Sequence, residues 1–482
     1  MQDNNMAQEA NETVPVEQPV PMSASKRLAV AAEKQRQSNV AALKTKAEQA
    51  LTQTFETVGD RLPGGAGVRQ LREDAIARFE DLGLPHRRIE SWKYTDLRNI
   101  LKTAFAPAQG ASRTVSAAEL ESAMGPLAKV DAMRVVFVDG AYVQELSDLK
   151  GCETVAVAPL GRELEEDAAA ADLLRLDAGT DDAMLALNTA YVSDGAVVGV
   201  AKKAKLDKPL MIVSVRAGSD EQFVFSRNAI SVGDGAEVTI LEAYVSLPDA
   251  AEKSQLSAVT ELGVGDGAQV SHLRCAVDNG QALQLGNWLV SVGARADYRA
   301  FQFTAEVGVV RNQLDVVFKG EDAKIDLSGT YLARASQHVD STLVVDHAVP
   351  ACESRELFKG VLGGESRGVF QGKVIVRPDA QKTDGKQMAQ VLMLSPYAEF
   401  DSKPELEIFA DDVVCGHGST SVDIDEDLLF YCRSRGIPEA EARVLLIESF
   451  IGEALEKVEH EGVRNSLEEL ARTWLMQATA EV

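Results

Sequence analysis

The segments AKKAKL (201–206), VGDGAEV (232–238), VGDGAQV (264–270), VGARADY (292–298) and KGEDAKI (319–325) are versions of one turn. Their alanines, Ala204, Ala236, Ala268, Ala296 and Ala323, stand 32, 32, 28 and 27 residues apart. A near-constant period with matching turn chemistry is the mark of stacked coils, each burying its face on the next. Between the turns, residues 191–400 alternate apolar and polar in short Val/Ile-rich stretches broken by Gly, Asp and Asn, which is a strand-and-turn pattern. A β-solenoid is the leading architecture. An antiparallel meander or sandwich also places Gly-Asp-Gly turns between strands, so the period alone leaves that alternative open.

Outward from this core the pattern becomes helical. Val68, Leu71, Ala75, Phe79 and Leu82 recur at helical spacing, with Gly83 placed to end the helix and Pro85 beyond it. Residues 26–190 are therefore expected to form a mainly helical N-terminal domain ahead of a core at 191–422. Residues 1–25 mix Gln, Asn, Glu, Pro and Ser with few large apolar side chains and are expected to be a disordered tail. After Asp423, Val444, Ile447, Ile451, Ala454 and Val458 form one apolar stripe, widened by Leu455, with Gly436 and Pro438 at its start. Ser466 and Glu469 have the spacing of a capping box, so a last helix is expected to open there. A helical hairpin at 423–482 would close the chain.

Composition removes several classes of function. The 74 acidic against 49 basic residues give a formal charge of −25, which repels phosphate backbones and anionic lipid, so neither nucleic acid nor a membrane surface is an expected partner. No run approaches the roughly 18 to 20 apolar residues that span a bilayer, and the first residues have neither a basic region nor an apolar core. A cytoplasmic protein is expected. The five cysteines, Cys152, Cys275, Cys352, Cys415 and Cys432, are scattered and never form CxxC, unlike a disulfide framework or a self-contained metal site.

The densest candidate for chemistry is Cys415-Gly416-His417-Gly418. In an extended strand the period of two puts Cys415 and His417 on one face and bare backbone on the other. A thiolate beside an imidazole suits iron or zinc, but two donors are half of a four-coordinate site. The missing donors would come from a distant part of the fold, a sulfide or another protein. Asp411, Asp412, Asp423 and Asp425, if near, would raise the Cys415 pKa, so the thiol does not look self-activated. Cys352 and Cys432 are expected to pack, and His86, His272, His338 and His347 receive no role. Asp423, Asp425 and Asp427 lack the glycine and closing glutamate of a calcium loop and suit a helix start better. No G-x-x-x-x-G-K-[ST] occurs, so nucleotide energy would enter through another subunit. No catalytic triad is found, and the chain is expected to be no enzyme.

Several longer segments resemble the SufB/SufD family of iron–sulfur cluster assembly proteins: GLPHRRIESWKYTDLR from Gly83, HAVPACESRELFKGVLGGESRGVFQGKVIV from His347, AQKTDGKQ from Ala380, and PELEIFADDVVCGHGSTSVDIDEDLLFYCRSRGI from Pro404. The resemblance covers roughly residues 68–460, and ESWKYTDL with CGHGS looks like the SufD branch. It implies a right-handed parallel β-helix between N- and C-terminal helical regions. It further implies pairing with SufB through the β-helix, docking of the SufC ATPase on the C-terminal helices, and cluster assembly near the SufB–SufD interface. No cofactor would be held stably by the chain alone; iron or a nascent cluster would be held transiently with SufB. Cys415 and His417 match the family's C-x-H-G positions and become candidate ligands there. Ala389 and Val391 stand where the family often has asparagines, and Ser419 replaces a common alanine.

Two rivals remain. A SufB-like, cluster-carrying scaffold would show more clustered cysteines. A secreted carbohydrate-active β-helix enzyme would be richer in aromatics than 5%.

Overall fold

From Ala196 onward the chain crosses back and forth between two sheets, laying one strand in each before returning to the first. The computed structural model describes residues 44–150, 153–166, 168–174, 181–278 and 281–480. The tail expected at 1–25 and Cys152 lie outside them. Eight two-strand coils stack in parallel register, from Ala196–Val200 with Leu210–Arg216 to Glu399–Ile408 with Val414–Val422. The solenoid expected from the turn repeat is present, and the antiparallel alternative is excluded.

The repeated turn has a backbone cause. Lys203, Gly235, Gly267, Arg295 and Asp322 precede the five alanines and all have φ between 57° and 66°. A left-handed residue redirects the chain from one sheet to the other, and the next residue drops its side chain into the lumen. Only a small side chain fits, and all five alanines are buried. The turns also stack through their backbones. Lys203 N–H donates to Asp234 O (2.8 Å), Gly235 N–H to Asp266 O (2.9 Å) and Gly267 N–H to Ala294 O (2.8 Å). The same geometry continues at Ala351, φ 58°, and Lys382, φ 65°, which carry Cys352 and Thr383 into the alanine position of later coils. Cys352 is fully buried there, the packing role expected for it.

Helices close the N-terminal end. Lys46–Val58 opens with a capping box between Thr45 and Glu48, and Ala66–Leu82 ends at Gly83 with φ 68°, as its sequence indicates. The helix Ala183–Tyr191 is buried along its whole length between that helix and the solenoid wall. Strands also occur in this region. Met133–Val138 joins one sheet and folds back antiparallel on Ala141–Tyr142, and Val155–Pro159 joins the other sheet antiparallel.

At the other end of the sequence there are three helices, Glu426–Ser434, Glu439–Leu455 and Glu461–Ala480, rather than a hairpin. Asp425 caps the first by accepting from the N–H groups of Asp427 and Leu428, which explains the acidic cluster. Ser466 does not open the last helix. It lies buried inside it, with its hydroxyl on Gly462 O and Pro126 O, and the helix begins five residues earlier, where His460 Nδ1 accepts from Val463 N–H. Ile447, Ile451, Ala454, Leu455 and Val458 are buried in one cluster that joins these helices to the outer face of the ten-stranded sheet. No helix among the described residues is long and apolar enough to cross a membrane.

Candidate functional site

The segment containing Cys415 and His417 is extended, in the strand Val414–Val422 that ends the ten-stranded sheet. Its ladder runs on one side only, with Cys415 opposite Gly385 and His417 opposite Gln387. Val414 N–H donates inward to Thr383 O (2.9 Å), and alternation then turns the backbone groups of Cys415, His417, Ser419 and Ser421 to the unpaired side. The strand Glu399–Ile408 ends the second sheet in the same way. Among the described residues, two edges of nine and ten residues therefore lie unpaired at one end of the solenoid. Ile408, Phe409, Val414 and Val422 are exposed along them. The edge Glu399–Ile408 carries alternating charges and Pro404, whereas Val414–Val422 carries mostly small residues and so leaves its outward backbone groups unshielded.

Cys415 and His417 occupy the lumen-facing side of their strand, two residues apart. Cys415 is half-buried against the lumen core. His417 is exposed, because no further coil among the described residues lies over it. Of the two glycines only Gly416 is bare, with no described atom within 4 Å of its Cβ position, whereas Gly418 is covered by the Met388 side chain, 2.7 Å from its Cβ position. The Cys415 pKa is raised, chiefly by burial, then by the carboxylates of Asp384 and Glu356, while a hydrogen bond from the Gly385 backbone opposes the shift. The thiol is thus protonated at neutral pH, as expected, but Asp411, Asp412, Asp423 and Asp425 are not the cause. Coordination of a soft cation would have to displace that proton.

Among the described residues no group of three or more His, Cys, Asp or Glu side chains is placed to hold a metal ion. Cys415 and His417 therefore bring two donors to the open end, and Cys352 and Cys432 lie elsewhere in packed clusters. Burial pushes the Cys275 thiol up to about 12 and the Cys352 thiol up to about 11.

The histidines left without a role prove to be structural. His272 is fully buried, 2.7 Å from Glu242 and 3.1 Å from the Tyr298 hydroxyl, with its ring stacked on Trp288. His338 meets the Thr95 hydroxyl at 2.9 Å, and His86 accepts from the backbone of Arg88. His347 Nε2 lies 3.1 Å from Ser354 Oγ. Sequence reasoning missed Glu356. It lies buried in the lumen, where burial drives its pKa up to about 8 against the opposing effects of Ser354 and Arg355. His272, Glu356, Gln387 and His417 all hold the fourth position of their strands, so laying the coils over one another in register would have exposed this polar file.

Residues 215–450 match the SufBD core domain of the SUF system for FeS cluster assembly, and residues 45–212 match the SufBD protein N-terminal region. This chain belongs to the SufBD family. It is 29% identical to the iron–sulfur cluster assembly protein SufD of Escherichia coli, over 80% of this chain and 88% of that one. A SufBD family protein of Synechocystis is 30% identical over 80% of this chain and 86% of its own length. SufD of Bacillus subtilis is 27% identical over 83% and 92%. The chain is thus a SufD-like iron–sulfur cluster assembly protein of the SUF system, and the carbohydrate-active alternative falls. In this SufBD protein Ala389 and Val391 are buried apolar residues of the lumen, so no polar role attaches to them.

Proposed function

We propose that this SufD-like chain is a non-catalytic scaffold subunit that pairs with SufB through the open end of its solenoid. Cys415 and His417 then lie at the seam as iron or nascent-cluster ligands. The observation that carries this is the coincidence of two donors, too few to complete a site, with two unpaired strand edges. A partner that extends both sheets would satisfy the outward backbone groups of Cys415 and His417 and bring the remaining donors to the same place. Iron and sulfide are cargo here, and the protonated Cys415 thiol gives up its proton as the cation binds.

The C-terminal helices are the proposed platform for the SufC ATPase. On Glu439–Leu455 the apolar stripe is taken up by the solenoid wall, with Lys359 ion-paired to Glu453. Unburied apolar surface is concentrated on the preceding helix, where Leu428, Phe430 and Tyr431 are 51%, 72% and 55% exposed. That helix begins four residues after the strand bearing Cys415 and His417. Movement of a docked ATPase would reach the seam through a short, direct connection.

The test is co-expression with SufB and SufC, comparing wild type with Cys415→Ala and His417→Ala. The expected result is normal assembly and ATPase activity with loss of bound iron. Variants that assemble and keep full iron and sulfide would assign the chemistry to SufB alone.

A further inference from the structure

A cavity of about 990 Å³ lies between the outer face of the nine-stranded sheet and the helical N-terminal region. Its floor is made of small residues, Ala229, Gly263 and Ser291, from three neighbouring strands, and Trp92 and Leu185 stand in its walls. Gly263 leaves the floor open, because the nearest atom to its Cβ position is Ser291 Oγ at 3.9 Å. The volume suits a small organic molecule.

Two carboxylates line this space, and each is held in place by hydrogen bonds. Asp182 caps the helix Ala183–Tyr191, accepting from the N–H groups of Met184 (2.8 Å) and Leu185 (3.0 Å). Asp315, on the strand Val309–Phe318, accepts from Gln313 Nε2 at 3.0 Å. Among the described residues neither has an ion-pair partner, whereas the other charges near them are matched. Arg227 pairs with Glu261, Arg311 with Asp340, Asp181 with Arg78 and Asp346 with Arg377, while Lys319 is exposed at the rim. Both carboxylates are half-buried, and two like charges facing one cavity with no ion-pair partner among the described residues favour a cation between them. A metal ion does not fit, since no third His, Cys, Asp or Glu ligand joins them among the described residues.

We propose that this cavity binds an organic ammonium ion with an apolar body, its charged end held by Asp182 and Asp315 and its body laid on the floor over Gly263. Protonation follows the same logic. Burial pushes the Asp315 carboxyl up to about 6, the charge of Asp182 adds to the shift, and Gln313 and Arg311 oppose it. Asp182 is also raised, again by burial. A cation therefore binds best above about pH 7, and its affinity falls as acid neutralises the pair.

The test uses full-length protein and isothermal titration with tryptamine, a planar ring bearing an ammonium, against indole-3-acetate, a similar ring bearing the opposite charge. The proposal expects tryptamine to bind at neutral pH, to bind about tenfold more weakly near pH 5, and to outcompete the acid throughout. Asp315→Asn, which keeps the shape and can keep the Gln313 contact, should weaken tryptamine tenfold or more. Gly263→Leu, which fills the floor and leaves both carboxylates intact, should abolish binding. Circular dichroism checks that each variant is folded, and if Gly263→Leu is not, Asp315→Asn still decides. No tryptamine binding at millimolar concentration, equal binding of indole-3-acetate, or wild-type affinity in Asp315→Asn would each overturn the proposal.

Discussion

Glu356→Gln should stabilise the protein at neutral pH by an amount that grows with pH. Glu356 is 3% exposed, and its pKa stands at about 8 against an ordinary 4.5, because the lumen disfavours the ionised form. Between those values the unfolded chain has released the proton and the folded chain still holds it. The unfolded state then binds fewer protons, so stability falls as pH rises through the window. Each pH unit climbed within the window costs about 1.4 kcal/mol, so near pH 7.5 the linkage costs about 4 kcal/mol, and below about pH 4.5 it vanishes. Glutamine has the same shape and no titration. Urea unfolding followed by tryptophan fluorescence, with Trp288 in the same lumen, should show variant and wild type converging in acid and separating steadily towards pH 8. A constant offset between the two pH profiles would refute the reasoning, because it would mean that Glu356 is ionised in the folded lumen or is not enclosed there.

His347→Gln should act on the opposite limb. Burial holds His347 down to about 4 from 6.5, so wild type loses up to about 3 kcal/mol as pH falls from 6.5 towards 4, and the variant's acid unfolding curve should be flatter. Ser419→Pro should abolish co-purification with SufB while leaving the isolated chain's circular dichroism unchanged, since it removes a backbone N–H on the unpaired side only; retained pairing would argue against sheet extension. Cys352→Ala should cost only about 1 kcal/mol in urea unfolding, because five other coils carry alanine at that position, whereas Cys352→Leu should cost more through overpacking.

The solenoid was legible because its turn requires the same thing at seven of the eight coils: a left-handed residue followed by a small one. Glycine supplies the first at Gly235 and Gly267, but Lys203, Arg295, Asp322, Ala351 and Lys382 adopt it without being glycine, so the repeat fades when it is followed by residue identity. A repeat defined by alanine accordingly ends at Ala323 and passes over Cys352 and Thr383. Ser466 misled for a similar reason. A capping-box spacing is local, and nothing in it shows that Glu461 to Gly462 already continues the helix while Pro126 supplies a partner for the serine. Cys415 and His417 were legible as a pair, and their position on an unpaired strand was not. Pro404 in the companion edge strand is the one local hint, since proline is tolerated where a strand lacks a second neighbour.

The two ends of the solenoid are unlike. The first coil is blocked by Ala141–Tyr142 and Val155–Pro159, which run antiparallel to their neighbours and break the stacking rule, and by the helices around them. The last coil obeys the rule and simply stops. A rod with two such last coils would polymerise into filaments, and one with none would remain single. On the proposed pairing through the open end, one such end per chain makes association a terminating step. Raising the protein concentration can fill more pairs but cannot lengthen them, so mass measured against concentration should reach a plateau.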